Sequence, residues 1–122
     1  MIENVVISYL YSALAYEEGS SVVHIPVSGE VPTPLPEEFV TVEKTGGRIE
    51  NHIRSATLAI QSWAGSQAKA SMLNDKVISA MESLITLDSV SKCQLNSDYN
   101  YTDTSTKHNR YQAVFDLVYF DD

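Results

Sequence analysis

The chain has 122 residues with 43% hydrophobic and 20% charged side chains, so it is long enough for one core and too apolar to be disordered throughout. Its net charge is −8, and its single cysteine, Cys93, excludes a disulfide framework and a cysteine-rich metal site. No apolar run approaches the ~20 residues of a membrane span, and the first residues lack the pattern of a secretory leader. These features predict one domain over residues 1–122, made in a reducing cytoplasm without membrane attachment.

The acidic charge is concentrated in the first third of the chain. The remaining 79 residues contain nine acidic and eight basic residues and are nearly balanced. A one-sided block of this kind is typical either of a solvated face or of a surface that repels a negatively charged partner. Tight nucleic-acid binding is disfavoured, because it needs a cationic patch against the phosphates. Up to residue 43 there is no Lys or Arg, and the seven acidic residues are Glu3, Glu17, Glu18, Glu30, Glu37, Glu38 and Glu43.

The first elements in chain order are a helix, a short strand and a stiff loop. Residues 2–17 predict an amphipathic helix, and Gly19 fits its C-terminal end. Val22–Val27 predicts a short strand, which Pro26 restricts to an edge or a bulge. The following GEVPTPLPEE has three prolines in five residues, so it predicts an extended loop. The apolar residues at helical spacing are Ile2, Val5, Val6, Tyr9, Leu10, Ala13 and Leu14.

The central residues predict a β-hairpin followed by the second helix. Gly46 and Gly47 tolerate positive φ, so they predict a two-residue turn between strands 39–45 and 50–63. A helix is predicted over residues 66–86, with Ser66 as its N-cap. Alternation in the hairpin puts Ala56, Leu58 and Ile60 on one face, and the helix has an apolar stripe of Ala70, Leu73, Val77, Ala80, Met81 and Leu84.

The C-terminal residues predict a second antiparallel pair, with strands at 89–99 and 109–120. In the last strand Tyr111, Ala113, Phe115, Leu117 and Tyr119 share one face. The order helix, edge strand, hairpin, helix, hairpin predicts an α+β fold, in which two main helices pack on one face of a mostly antiparallel sheet.

Residue types that carry chemistry are sparse and scattered. His24, His52 and His108 fall in a predicted strand, strand and loop, without the spacing of metal ligands. Residues 98–109 begin like a calcium loop, but Asp103 stands where the sharp turn needs Gly, and Asn109 where a bidentate Glu is needed. There is no phosphate-binding glycine loop and no nucleophile elbow. The sequence therefore predicts a protein that is not an enzyme and has no cofactor or metal.

Three stretches together carry a resemblance to a known family: VEKTGG (residues 42–47), ATLAIQSWA (56–64) and LNSDYNYTDTSTKHNRYQAVFDLVYF (95–120). Their order and spacing resemble the tail-completion, or tail-terminator, proteins of long-tailed bacteriophages and prophages. The resemblance implies a structural virion protein that forms a hexameric ring, caps the tail tube and joins the tail to the head connector. The implied partners are further copies of the chain, the major tail tube protein and a head completion protein, and DNA passes through the lumen without tight binding.

The location implied by this resemblance is the head–tail joint of the virion, after assembly in the host cytoplasm. Two alternatives stay open. One is another small head–tail connector or head-closure protein. The other is a cytoplasmic α+β domain that binds a small ligand.

The polar segment 98–109 between the last two strands is unusually long for a hairpin tip and has no Gly or Pro. Ordering such a loop costs backbone entropy, so a neighbouring molecule that orders it would explain its length. It is expected to be either a docking arm or a solvated mobile loop. Trp63 ends a strand and is expected to be either a core residue or an interface anchor. The residues predicted to contact partners are Trp63, Asp98, Tyr99, Tyr101, Asp103 and Lys107.

The acidic block has a possible function in the implied ring. A cationic lining would bind every phosphate of passing DNA, whereas carboxylates repel the backbone at close range. The adjacent pairs Glu17–Glu18 and Glu37–Glu38 lie beside predicted loops, so these four carboxylates are predicted to face the ring lumen.

Overall fold

The computed structural model describes residues 1–103, 105 and 108–120. Within these residues, a first α-helix is followed by five strands and a second α-helix by two strands, and a 3₁₀ helix, Leu84–Thr86, follows the second α-helix. The elements are α1 (Ile2–Ala13), β1 (Tyr16–Glu18), β2 (Ser21–Val23), β3 (Val27–Ser28), β4 (Phe39–Glu50), β5 (Ile53–Ala64), α2 (Gln67–Glu82), β6 (Val90–Asn100) and β7 (Asn109–Tyr119).

Five of the strands form one sheet in the order β3-β4-β5-β7-β6, and β1 pairs with β2 in a separate ribbon. β3 is parallel to β4, and the other neighbours are antiparallel. At one edge, β3 pairs only with Val40 and Thr41 of β4. At the other edge, β6 pairs with β7 along most of its length. Because β3 is so short, residues Glu43 to Glu50 of β4 also lie at an edge of the sheet.

The apolar core takes alternate residues of the central strands. It contains Leu58 and Ile60 of β5, Phe115 and Leu117 of β7, and buried residues of both helices. The stripe predicted for the second helix is largely confirmed, since Ala70, Leu73, Val77, Met81 and Leu84 are all buried. The intervening residues of the same strands point to the opposite side, which we call the polar side. Its side chains include Thr57, Ala59, Gln61, Gln112, Val114 and Asp116.

The α+β prediction, with two helices packed on one face of a mostly antiparallel sheet, is wrong. The protein is mostly β, with 48% strand and 26% helix, and its main sheet is mixed. Two local features account for the difference. The Gly46–Gly47 pair lies inside β4 and does not end it, which lengthens the hairpin. In addition, residues 16–23 form a β ribbon where a helix end was predicted.

The turn of the central hairpin lies five residues beyond the predicted position. Asn51 and His52 have φ of 51° and 67°, the pair of positive values that a tight hairpin turn requires. Thr45, before Gly46, is a bulge, since the pairing with β5 shifts between Lys44 and Gly46. Glycine in a strand often marks a bulge, and here it does so where a turn was predicted.

The N-terminal predictions are only partly confirmed. α1 ends at Ala13, four residues earlier than predicted, and Gly19 makes the turn of the β1–β2 ribbon with a φ of 64°. The strand predicted at Val22–Val27 is interrupted between β2 and β3. The proline-rich loop contains no helix or strand, as predicted.

The second helix and the last hairpin follow the sequence closely. Ser66 is the N-cap of α2, and its Oγ accepts a hydrogen bond from the Lys69 N–H at 3.2 Å. β6 and β7 lie within one residue of the predicted bounds. The helix ends four residues before the predicted end, because the chain continues as the 3₁₀ helix.

Candidate interaction surfaces

An arginine held between two aromatic rings lies at the base of the polar segment 98–109. The Arg110 guanidinium carbon is 4.8 Å from the centre of the Trp63 ring and 4.6 Å from the centre of the Tyr101 ring. Its Nε–H also donates to the Tyr101 carbonyl oxygen at 2.7 Å. We call Trp63, Tyr101 and Arg110 the arm platform. Stacking of a guanidinium on both rings fastens the end of β5 to the chain that follows β6.

Trp63 is buried within the chain but lies outside the main apolar core. Only 7% of its surface is exposed. Its ring stacks on Phe39 with 5.2 Å between centroids, and its Nε1–H donates to Thr41 Oγ1 at 3.4 Å. This burial favours the expectation that Trp63 packs inside the subunit over the expectation that it anchors an interface, because little of the ring is left for a partner to cover.

The arm, residues 98–109, is stabilised by its own hydrogen bonds over the part that the structure describes. The Tyr101 N–H donates to the Arg110 carbonyl at 2.9 Å, and the Arg110 N–H donates to Thr102 Oγ1 at 3.2 Å. Further along, Asp103 forms a bridge with His108 and accepts hydrogen bonds from the N–H and hydroxyl of Ser105. The base of the arm is thus preorganised in one subunit. Lys107, predicted to contact a partner, lies outside the described residues.

Asp98 and Tyr99 are neighbours in sequence but contact different parts of the molecule. Asp98 Oδ1 accepts a hydrogen bond at 2.8 Å from Nδ2 of Asn74, a residue of α2 that is 1% exposed. Tyr99 lies on the polar side and packs edge-on against Tyr101, with 5.8 Å between ring centroids. The predicted set is therefore split. Trp63 and Tyr101 flank Arg110 and Tyr99 packs against Tyr101, whereas Asp98 ties β6 to α2.

Hydrogen bonds between side chains, which no pattern in the sequence predicted, cross the polar side from strand to strand. In one row, Gln61 Nε2 donates to Gln112 Oε1 at 2.8 Å, and Gln112 Nε2 donates to the Tyr99 hydroxyl at 2.5 Å. In a second row, Thr57 and Asn96 both donate to the Asp116 carboxylate, at 2.9 and 3.0 Å. The alternation of polar residues in β7 was the signal that pointed to this side.

The four carboxylates predicted to face a lumen lie near one end of the sheet. Glu17 and Glu18 are exposed on β1. Glu37 and Glu38 line a cavity of about 320 Å³ together with Tyr16, the residue directly before Glu17. Glu37 also lines a cavity of about 210 Å³ beside Trp63 and His108. The acidic patch, as we call these four residues, is therefore next to the arm platform.

The four carboxylates of the acidic patch differ in whether a cation lies next to them. Glu37 Oε1 is 3.2 Å from Lys69 Nζ, and both side chains are largely exposed. Such an exposed ion pair contributes only about 0–1 kcal/mol, but it compensates one carboxylate. For Glu17, Glu18 and Glu38, no ion pair is present among the described residues.

The two edges of the main sheet are a further surface that the sequence did not identify. Among the described residues, no strand pairs with the outer edge of β6 or with the outer edge of residues 43–50 of β4. Leu95 on the first edge and Ile49 on the second are 40% and 62% exposed. Open edges of this kind present unpaired backbone groups that pair readily with another strand.

The histidines and the cysteine are dispersed. His24 lies between β2 and β3 and His52 in the hairpin turn, so neither is in the predicted strand. Within residues 1–103, 105 and 108–120, no group of three His, Cys, Asp or Glu side chains is arranged to hold a metal. Burial raises the pKa of the Cys93 thiol to about 11, which keeps it protonated and weakly nucleophilic at neutral pH.

An open groove of about 820 Å³ runs along α1, lined by apolar and small residues that include Val5, Tyr9, Ala13 and Leu87. The Tyr9 hydroxyl donates to the Ala80 carbonyl at 2.6 Å, which fixes one wall of the groove. No described helix is long and apolar enough to span a bilayer.

Comparison with known proteins gives no assignment: no protein-family model matches the chain, and no curated protein matches it.

Proposed function

We propose that the protein is a structural virion subunit whose copies form a ring that caps a phage tail tube and joins it to the head connector. The observation that carries this proposal is the main sheet with two open edges of opposite strand direction. The preorganised arm and the resemblance of residues 42–47, 56–64 and 95–120 to tail-terminator proteins support it.

The strand directions suit a ring. Because β4, β5, β7 and β6 are antiparallel in turn, β6 runs opposite to β4. A second copy, rotated about an axis inclined to the strands as the axis of a β-barrel is, brings its β4 antiparallel to β6 of the first. Each contact joins two different surfaces, and a heterologous contact of this kind closes into a ring when the rotation divides the circle. Six copies are the number that the resemblance implies.

The same arrangement defines a path for DNA. The apolar core lies on the side of the sheet that carries Leu58 and Phe115, so the polar side is the one free to line a channel. The hydrogen-bonded Gln61, Gln112 and Thr57 side chains on this side are uncharged and offer no cation for phosphates to bind. The acidic patch, at one end of the sheet, then forms a mouth that repels the DNA backbone.

The partners in this proposal are the tail tube protein, a head completion protein and further copies of the chain, at the head–tail joint. Assembly takes place in the host cytoplasm. We place the arm, which lies at the same end as the acidic patch, against the tube or the neighbouring copy.

Mixing the purified chain with tail tube protein tests the proposal. We expect the chain alone to sediment as a monomer or a ring, and tubes to acquire a terminal ring of density visible by negative-stain microscopy. Pairing of strand edges is weak for one contact and is favoured when a tube supplies a template. A chain that stays monomeric and leaves tube ends bare would overturn the proposal.

Two other functions remain as second candidates. Another connector or head-closure protein would use the same edges but would bind the head connector in the absence of tubes. A small-ligand-binding protein is favoured by the apolar groove along α1. That function would be supported by a chain that remains monomeric with tubes and takes up apolar small molecules at this groove.

A further inference from the structure

From the two open edges we infer the register of the contact between copies: β6 of one copy pairs with residues 43–50 of β4 in the next, with Lys92 opposite Glu50. This inference rests on the proposed ring and specifies which residues join its subunits. The occupant of each edge is thus a second copy of this chain.

The strand β3 limits where the two edges can meet. Across the sheet of one copy, Tyr99 is level with Gln112, Gln61 and Thr41. Copies that met without an offset along the strands would therefore place Tyr99 opposite Thr41 of the neighbour. That position is already paired with Ser28 of β3. To avoid β3, β6 has to be displaced along the neighbour's β4 toward its Asn51–His52 turn.

The alternation of side chains fixes the parity of this displacement. A shift by one residue would place polar-side residues of one copy beside core-side residues of the next. The smallest allowed shift is therefore two residues, about 7 Å along the strands, which a closed ring accommodates by tilting the strands against its axis, as the shear of a β-barrel does. It leaves residues 92–99 of β6 opposite residues 43–50 of β4, the part of β4 that β3 does not cover. Each segment has one bulge, at Asn96 in β6 and at Thr45 in β4.

The charges on the two edges favour this two-residue shift. Within one copy, Lys92 is level with Val118, Ser55 and Arg48. Without a shift, Lys92 would therefore lie opposite Arg48 of the neighbour, which places like charges opposite each other. With the shift, Lys92 is opposite Glu50. On the core side of the sheet, Asp98 would lie opposite the neighbour's Val42 without the shift, and it lies opposite the neighbour's Lys44 with the shift. Both charged residues of this part of β6 thereby gain an opposite charge.

The remaining side chains agree with the same register. Tyr99 comes opposite Glu43, so its hydroxyl is free to donate to that carboxylate while it accepts from Gln112. Leu95 and Ile49, both exposed in one subunit, become diagonal neighbours on one side of the sheet. A four-residue shift would place Asp98 opposite Gly47 and leave Lys92 beyond the end of β4, so it loses both charge pairs.

Groups already present at these positions are compatible with the contact. Glu50 Oε2 is 3.3 Å from Arg48 Nη2, and both side chains are mostly exposed, so this carboxylate has room for a second cation. Asp98 accepts one hydrogen bond from Asn74 through Oδ1. Its second oxygen is therefore left for Lys44 of the neighbour.

Disulfide trapping reads the register directly. Cys93 is the single cysteine of the chain and comes opposite Ile49 of the next copy. Within one copy, β6 and β4 are three strand spacings apart, roughly 14 Å, too far for a disulfide. We expect the variant Ile49→Cys, assembled on tubes and oxidised, to give a ladder of covalent multimers on denaturing gels without reductant. The control Ile53→Cys, at the same hairpin tip but on β5, should stay monomeric.

A second pair of positions covers the case in which the half-buried Cys93 thiol reacts too slowly. Glu43→Cys with Tyr99→Cys, in a Cys93→Ser background, places two exposed thiols opposite each other and should give the same ladder. Rings that form on tubes but are trapped by neither pair overturn the register and leave the proposed function standing. Bare tubes in the presence of the unmodified chain overturn the proposed function itself.

A charge exchange tests the Lys92–Glu50 contact. Lys92→Glu and Glu50→Lys should each weaken ring formation on tubes on the order of tenfold, because each places like charges opposite each other. A mixture of the two variants should assemble again, since an alternating ring restores opposite charges at every contact. Lys76→Glu, an exposed change on α2 with the same charge difference, is the control and should assemble normally. Failure of the mixture to recover, with both variants folded, would overturn the assignment.

Discussion

Replacement of Trp63 by Ala is expected to lower the free energy of unfolding of the dilute monomer by about 3–5 kcal/mol. The ring is almost fully buried, stacks on Phe39 and supports the Arg110 guanidinium. Its removal leaves a cavity and also frees the arm, since Arg110 then stacks on Tyr101 alone. Urea denaturation followed by circular dichroism, at a concentration where the chain is monomeric, measures the loss.

Two companion variants separate packing from the cation–π contacts. Trp63→Phe keeps an aromatic ring and should lose less than Trp63→Ala. Arg110→Ala removes the cation while the rings stay, and a loss of about 1–2 kcal/mol is expected for an arginine stacked on two of them. A Trp63→Ala monomer as stable as the unmodified chain, but unable to assemble, would contradict this reading and make Trp63 an interface anchor.

The sequence predicted most elements wherever a periodic pattern and a local signal agreed. α2 was recognised because the Ser66 cap and the apolar stripe start together, and β7 because its alternation is unbroken. The fold class was predicted wrongly in part because one local signal, the Gly46–Gly47 pair, has two physical meanings. A glycine pair serves a turn or a bulge equally well, and Asn51–His52 was a less obvious turn than Gly46–Gly47. Only the pairing of β4 with β5 distinguishes these alternatives.

The candidate surfaces were predictable in part. Composition identified the acidic block and the polar arm, and the structure places Glu37 in the walls of two cavities that link them. The role of Arg110 was not predictable, because Trp63 and Tyr101 are brought together by strand order, which periodicity does not contain. The complementary charges of β4 and β6 were hidden for the same reason. Lys92 and Glu50 face each other only in a register fixed by β3 and by the levels of the intervening strands.

The acidic patch gives the prediction that bears most directly on the passage of DNA. Replacing Glu17, Glu18, Glu37 and Glu38 by Lys adds two charges at each position and brings the net charge of −8 to zero. Exposed substitutions of this kind change stability little, and only Glu37 would lose a described ion pair, with Lys69. In a ring, however, the new lysines would surround the DNA path, where each binds phosphates that the carboxylates repel.

Particles assembled with the four-lysine variant are therefore expected to deliver DNA on the order of tenfold less efficiently at low salt. The defect should lessen as ionic strength rises, because the screening length falls from about 30 Å at 0.01 M to about 10 Å at 0.1 M. The rate of DNA ejection from purified particles measures this. A matched comparison uses Glu17→Lys with Glu18→Lys against Asp75→Lys with Glu82→Lys, which lie exposed on α2 and change the charge equally. Equal ejection by both pairs at every salt concentration would contradict a lumenal patch, and the carboxylates would then serve solubility alone.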